Sequence, residues 1–212
     1  MFLYFFQTNP SLAVAFILGL VVGITVHEAA HATSAYWLGD DTAYRDGRVT
    51  LNPASHLDVL GSLMLLMAGF GWGKPTPVVP SKLRGGIFGP VAVAFAGPLS
   101  NLIIVAACGA LYLVPTFQNG YLQLIVVMMA FTNALLFVFN LIPIPPLDGS
   151  KILFPFLPRA LGGFVDFMNQ YGPMILFGLI IISFVTNFPI LGVLLTPVAP
   201  ILAFFGLPPI SL

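Results

Sequence analysis

Two of the chain's three histidines flank its only glutamate, in the run His27-Glu28-Ala29-Ala30-His31. Residues four apart on a helix share a face, so both imidazoles can reach one metal ion. Glu28 lies about 100° round the helix from His27, near enough to take a proton from a water that the metal activates. The run sits in a long apolar stretch, where charge is costly and usually marks a function. Zinc in a catalytic site takes three protein ligands and leaves a position for water. No third histidine follows in the same helix, so the third ligand comes from elsewhere, with His56, Asp58 and Asp148 among the candidates. Asp148 follows the stretch NLIPIPPL (140–147), whose three prolines stop regular helix. Backbone freed at membrane depth is tolerated only where protein or a water-filled cavity satisfies it. An aspartate just after such a break is a strong ligand candidate.

The elements that position these residues are membrane helices. Charged residues are 7% of the 212 and hydrophobic residues 58%, against about 25% charged in soluble chains. Mean hydropathy is +1.02. A soluble enzyme or a disordered chain does not have this composition. Cys108 is the only cysteine, which excludes a disulfide scaffold. Seven basic against seven acidic residues leave no basic field, so no nucleic-acid partner is expected. Residues 1–9 lack a positive leading region, so no cleavable leader is expected there.

Segment A, about 9–38 with Ser11 as N-cap, is long enough to span. Residues 39–56 are polar, and Asp46-Gly47 between β-prone pieces 42–45 and 48–51 predicts a hairpin. Segment B, 57–70, is short for a span and reads as re-entrant or interfacial. Residues 71–85 are a proline-rich loop. Segments C (86–114) and D (121–141) are long enough to span. Segment E covers about 173–188, and segment F, about 190–205, is interrupted by Pro197 and Pro200.

The cations test this arrangement. If B does not cross, Arg45, Arg48, Lys74, Lys82, Arg84, Lys151 and Arg159 all fall on one side, which is then cytoplasmic. The same parity brings Asp148 to the face where His27 and His31 lie. If B crosses, Asp148 and the histidines are at opposite faces.

HEAAH in an apolar helix followed by NLIPIPPLDG (140–149) resembles the site-2 protease family of intramembrane zinc metalloproteases. AGPLSN (96–101) is similar to the family's middle core helix. LNPASHLDVLG (51–61) with GWGKPTPV (71–78) resembles its short prokaryotic branch, without PDZ or CBS domain. The resemblance covers roughly 10–155. It implies one Zn²⁺ per chain held by His27, His31 and Asp148, with Glu28 as catalytic base. It implies a substrate-backbone contact at Asn140. Asn101 is a further candidate contact near the site. His56 and Asp58 are candidates for hydrogen bonds behind the ligands or for substrate contacts, with a cap role for Asp58 as the plainer reading.

The sequence therefore predicts an all-α polytopic membrane protein of about five to six hydrophobic helices, one short and re-entrant, with a small β-hairpin near the active site. It is read as one domain over 1–212, with a catalytic core at about 10–155 and C-terminal helices at about 171–207. The predicted function is intramembrane zinc endopeptidase on transmembrane protein substrates already cut by another protease, in the cell membrane, with the active site toward the cytoplasm. The alternative is a metal-ion transporter or channel that uses His27, Glu28 and His31 as an ion site. Against it, there is no second intramembrane acidic relay and no inverted repeat.

Overall fold

Helix α1, Pro10–Trp37, has proline in its first turn, and the Asn9 side chain accepts from Leu12 N at 3.3 Å. Asn9, not Ser11, is thus the cap. The computed structural model describes residues 9–68, 71–186 and 190–208. At ~1.5 Å per residue, the 28 residues of α1 exceed a ~30 Å hydrocarbon core.

The expected hairpin is absent, and the described residues contain no strand. Thr42–Arg45 is instead a short helix, α2. Asp40 Oδ1 accepts from Thr42 N at 3.1 Å and from the Thr42 hydroxyl at 2.5 Å. Arg45 Nε donates to Asp41 Oδ2 at 2.7 Å, one turn back. These local polar bonds outcompete the weak β-propensity of TAYR. Gly47, at φ +66°, turns the chain out of the helix.

Helix α3, Val59–Ala68, has ten residues, about half the length a span needs. Leu57 before it and Gly73 after it pair in an isolated antiparallel bridge. The chain therefore enters and leaves α3 at the same place. Gly61 packs directly on the Trp72 backbone, where a β-carbon would overlap the carbonyl.

Helix α4 is Phe88–Tyr112 and α5 is Gly120–Asn140. Arg84 N, just ahead of α4, donates to Leu38 O, just past α1, at 2.8 Å. Helices α1 and α4 are therefore antiparallel, and α5 returns to the end where α1 finishes. The three pack on one another pairwise. Small residues permit this: a β-carbon on Gly23 of α1 would stand 2.6 Å from Leu136 Cδ1 and 2.9 Å from Asn133 Oδ1 on α5.

Helix α6, Asp148–Leu153, packs on α4. Helix α7, Gly162–Val185, carries Pro173 inside it. The expected start at Pro173 is therefore eleven residues late. The polar side chains of residues 166–170 made that stretch look like loop, yet Asp166, Asn169 and Gln170 simply occupy an exposed side of the helix. Leu176 and Ile180 of α7 pack with Ile142 and Leu147. Segment F is two short helices, α8 (Ile190–Leu194) and α9 (Val198–Phe204), with Pro197 between them. Val198 and Leu202 join the core formed by Val105, Cys108, Val126 and Ala130.

Four helices among the described residues are long and apolar enough to cross a membrane: Pro10–Trp37, Phe88–Tyr112, Gly120–Asn140 and Arg159–Ser183. This corrects the expected five to six. Segment B is too short, and segment F is broken by its prolines.

Candidate metal centre

His27 and His31 project from α1, and Asp148 opens α6, where the broken stretch after α5 brings it back to the bundle. Gly149 makes that approach possible, since a β-carbon there would come within 2.6 Å of Ile142 O. Among the described residues, His27, His31 and Asp148 form the one cluster able to hold a metal ion, and all three are buried.

Hydrogen bonds behind the ligands fix which nitrogen faces inward. His31 Nδ1 lies 2.7 Å from Val93 O, a group that can only accept, so Nδ1 carries the proton. His27 Nδ1 lies 2.7 Å from Asn101 Oδ1 and likewise donates. Both Nε2 atoms then present lone pairs. They meet each other at 3.0 Å, and each meets Asp148 Oδ2 at 3.1 Å. Three acceptors converge with no proton to share, an arrangement that a cation resolves. Tetrahedral zinc with ~2.0–2.1 Å bonds sets its ligand atoms roughly 3.3 Å apart. The observed triangle fits with a small expansion. Asp148 Oδ1 accepts from Lys151 Nζ at 3.1 Å, which orients the carboxylate.

Gly97 of α4 borders the same space, and a β-carbon on it would stand 2.6 Å from His27 Nε2. Small residues in membrane helices let neighbouring backbones approach closely, and Gly97 is one of them. It packs helices, and the surface it packs against is the two ligands.

Glu28 is partly buried and faces the proline-rich loop. Its Oε2 accepts from Thr76 N at 2.9 Å, and the Thr76 hydroxyl donates to the Glu28 carbonyl at 3.1 Å. Arg48 Nη2 is 4.0 Å from Glu28 Oε2. Arg48 is buried, and its guanidinium also donates to the carbonyls of Ser55 and Lys74. Sequence reasoning missed Thr76 and Arg48. A buried arginine in a polar loop leaves no local pattern, because its partners come from three separate stretches.

Of the remaining candidates, Asn101 bonds His27 directly, whereas His56, Asp58 and Asn140 bond elsewhere. His56 is fully buried, and its Nε2 donates to Thr50 O at 2.8 Å. Asp58 Oδ1 accepts from Gly61 N at 2.7 Å, which caps the start of α3. Asn140, half-buried, donates to Leu136 O in its own helix at 3.0 Å. Asn101 is fully buried, and its amide donates to Gly23 O at 3.1 Å and to Asn133 Oδ1 at 2.9 Å.

Two helical imidazoles, a carboxylate from a broken helix and an adjacent glutamate, set among apolar helices of spanning length, define a membrane-embedded zinc metallopeptidase. The chain belongs to peptidase family M50, the site-2 protease family, whose profile matches residues 114–185. It is 40% identical over 166 residues to the candidate zinc metalloprotease YwhC of Bacillus subtilis, covering 74% of this chain and 75% of that one. It is 32% identical over 153 residues to the candidate zinc metalloprotease Rip2 of Mycobacterium tuberculosis, covering 66% of this chain and 56% of that protein. The Rip2 of Mycolicibacterium smegmatis is 29% identical over 151 residues, with the same coverage of 66% and 56%. No solved structure matches the chain.

Proposed function

We propose that this metallopeptidase hydrolyses peptide bonds within transmembrane segments of membrane-protein substrates, from a site open to the cytoplasm. The carrying observation is where the ligands sit. His27 and His31 lie within a helix long and apolar enough to span, and both side chains are buried against α4. A protease with its centre there meets its substrate in the bilayer.

His27, His31 and Asp148 would hold the zinc. Zinc held there would supply Lewis-acid chemistry, polarising a carbonyl oxygen and lowering the pKa of water to near ~7. Glu28 accepts the proton of the attacking water and returns it to the leaving amine. Thr76 N–H holds one oxygen of the Glu28 carboxylate, which limits its rotation. A helical substrate hides its carbonyls in its own hydrogen bonds and must unwind locally. Asn140, at the end of α5 beside the broken stretch, contacts the unwound backbone in this reading. A substrate shortened by a prior cleavage enters more readily than one with a large extracytoplasmic domain.

The cations support this orientation. With α3 leaving where it entered, all seven lysines and arginines fall on the side of the metal ligands, and the positive-inside rule makes that side cytoplasmic. The test is reconstitution of the zinc-loaded protein with single-span membrane proteins, followed by mass spectrometry of new termini. Cleavage inside the apolar segments supports the proposal. Cleavage confined to soluble loops contradicts it.

A further inference from the structure

A chain of side-chain amides runs from the third core helix to a metal ligand. Asn133 of α5 donates from Nδ2 to Met129 O at 2.8 Å and to Gly19 O at 3.5 Å. Both acceptors are carbonyls, so the Asn133 amide has one orientation, with Oδ1 turned the other way. That Oδ1 accepts from Asn101 Nδ2 at 2.9 Å, and the same Nδ2 donates to Gly23 O at 3.1 Å. Asn101 is thereby fixed as well, with Oδ1 toward His27 Nδ1 at 2.7 Å. Asn101 and Asn133 have no exposed surface. Every bond points the same way, and the last proton lies on His27 Nδ1.

We propose that Asn133 is a positioning residue for the zinc site: acting through Asn101, it holds His27 in the tautomer and ring orientation that presents Nε2 to the metal. The proposal rests on the zinc-peptidase reading of the site and names a residue two hydrogen bonds behind a ligand. An amide buried among apolar helices is costly unless both its ends are paired. Here both ends are paired, and the pairing runs toward one ligand rather than closing on itself. Thr132, next to Asn133, is equally buried, but its hydroxyl returns only to Met128 O and Met129 O of its own helix. It is the natural control, with the same turn and burial but no link to His27.

The experiment titrates Co²⁺ into the purified, metal-stripped full chain in detergent and follows the visible absorption of the bound ion. Asn133→Leu is expected to weaken binding about tenfold to a hundredfold, the range for partners behind a ligand, and to alter the absorption envelope. Asn101→Leu is expected to weaken it at least as much, and Thr132→Val to leave it unchanged. Nitrogen-15 NMR of labelled histidine in the metal-free protein should show a single Nδ1-protonated form for His27 in wild type and a tautomer mixture in Asn133→Leu. If Asn133→Leu does not fold, Asn133→Ser is read the same way, because a serine hydroxyl is too short to reach Asn101. Folded Asn133 variants with wild-type affinity and tautomer overturn the proposal, as does a loss in Thr132→Val equal to that in Asn133→Leu. A wild-type protein that binds no Co²⁺ overturns the zinc reading and this proposal together.

Discussion

Gly97 on α4 lies flush against the Nε2 atom of His27 on α1, and a β-carbon there would stand 2.6 Å from that nitrogen. It would collide with the His31 imidazole too. The glycine is therefore required by the space of the two imidazoles, beyond any need for close packing of the helix backbones. Gly97→Ala is expected to fold, since the change is one methyl on a helix, and to lose zinc by more than tenfold in affinity, as ligand misplacement does. Metal analysis after mild chelation checks this. Full zinc retention in Gly97→Ala would show that the ion sits away from α4.

Asp148 supplies the one carboxylate of the cluster, whereas Asp58 caps α3 through Gly61 N. Asp148→Asn removes the negative charge opposite the ion, and zinc affinity is expected to fall by orders of magnitude. Asp58→Asn and His56→Ala are expected to keep zinc. The readout is zinc per chain in detergent. Loss in the 56–58 variants with retention in Asp148→Asn would move the site to that loop.

The loops over the site depend on Asp40. Its side chain is fully buried and accepts from Thr42 and from Val79 N at 2.6 Å, with Lys82 Nζ at 3.7 Å. Burial acts to raise its pKa, but the Thr42 hydroxyl, the Val79 and Thr42 amides and the Lys82 charge outweigh burial and lower it. A carboxyl whose folded pKa is depressed stabilises the fold above its unfolded pKa, ~3.9, and that contribution disappears as pH falls through the folded value. Asp40→Asn is expected to cost about 2 kcal/mol at pH 7, or roughly 4–8 °C in melting temperature. The gap to wild type should narrow below about pH 4. A gap that is the same at pH 7 and pH 3 would contradict this account.

Membrane topology is tested by single cysteines in a Cys108→Ala background. Positions 46, 82 and 159 are expected to label from the cytoplasmic side and position 119 from the other. The fold ties the first two together: Lys82 Nζ bonds the Thr42 hydroxyl at 2.8 Å, four residues from Asp46. Labelling of 46 and 82 from opposite faces would mean that α3 spans.

Much of the candidate site was legible in the sequence because its signals are local. HEAAH is set by helical spacing, and Asp148 is marked by three prolines that forbid helix ahead of it. Topology joined the two, since cation placement and ligand parity gave the same answer. The missed features are tertiary. Gly97 reads as any small helix residue until α1 lies across it. Thr76 and Arg48 reach Glu28 only after two loops fold over α1. The hairpin expected at 42–51 gives way to helix because Asp40 and Asp41, just outside the β-prone stretch, supply the bonds that make α2.

The central claim is that Glu28 does chemistry at a metal it does not hold. Glu28→Gln keeps His27, His31, Asp148 and the Thr76 contact in place. The decisive measurement is zinc content and cleavage of one membrane-protein substrate, made on the same Glu28→Gln preparation beside wild type. One zinc per chain, with cleavage lower by at least ~10²-fold as expected for loss of a general base, is the predicted result. Cleavage at the wild-type rate by zinc-loaded Glu28→Gln would contradict the account.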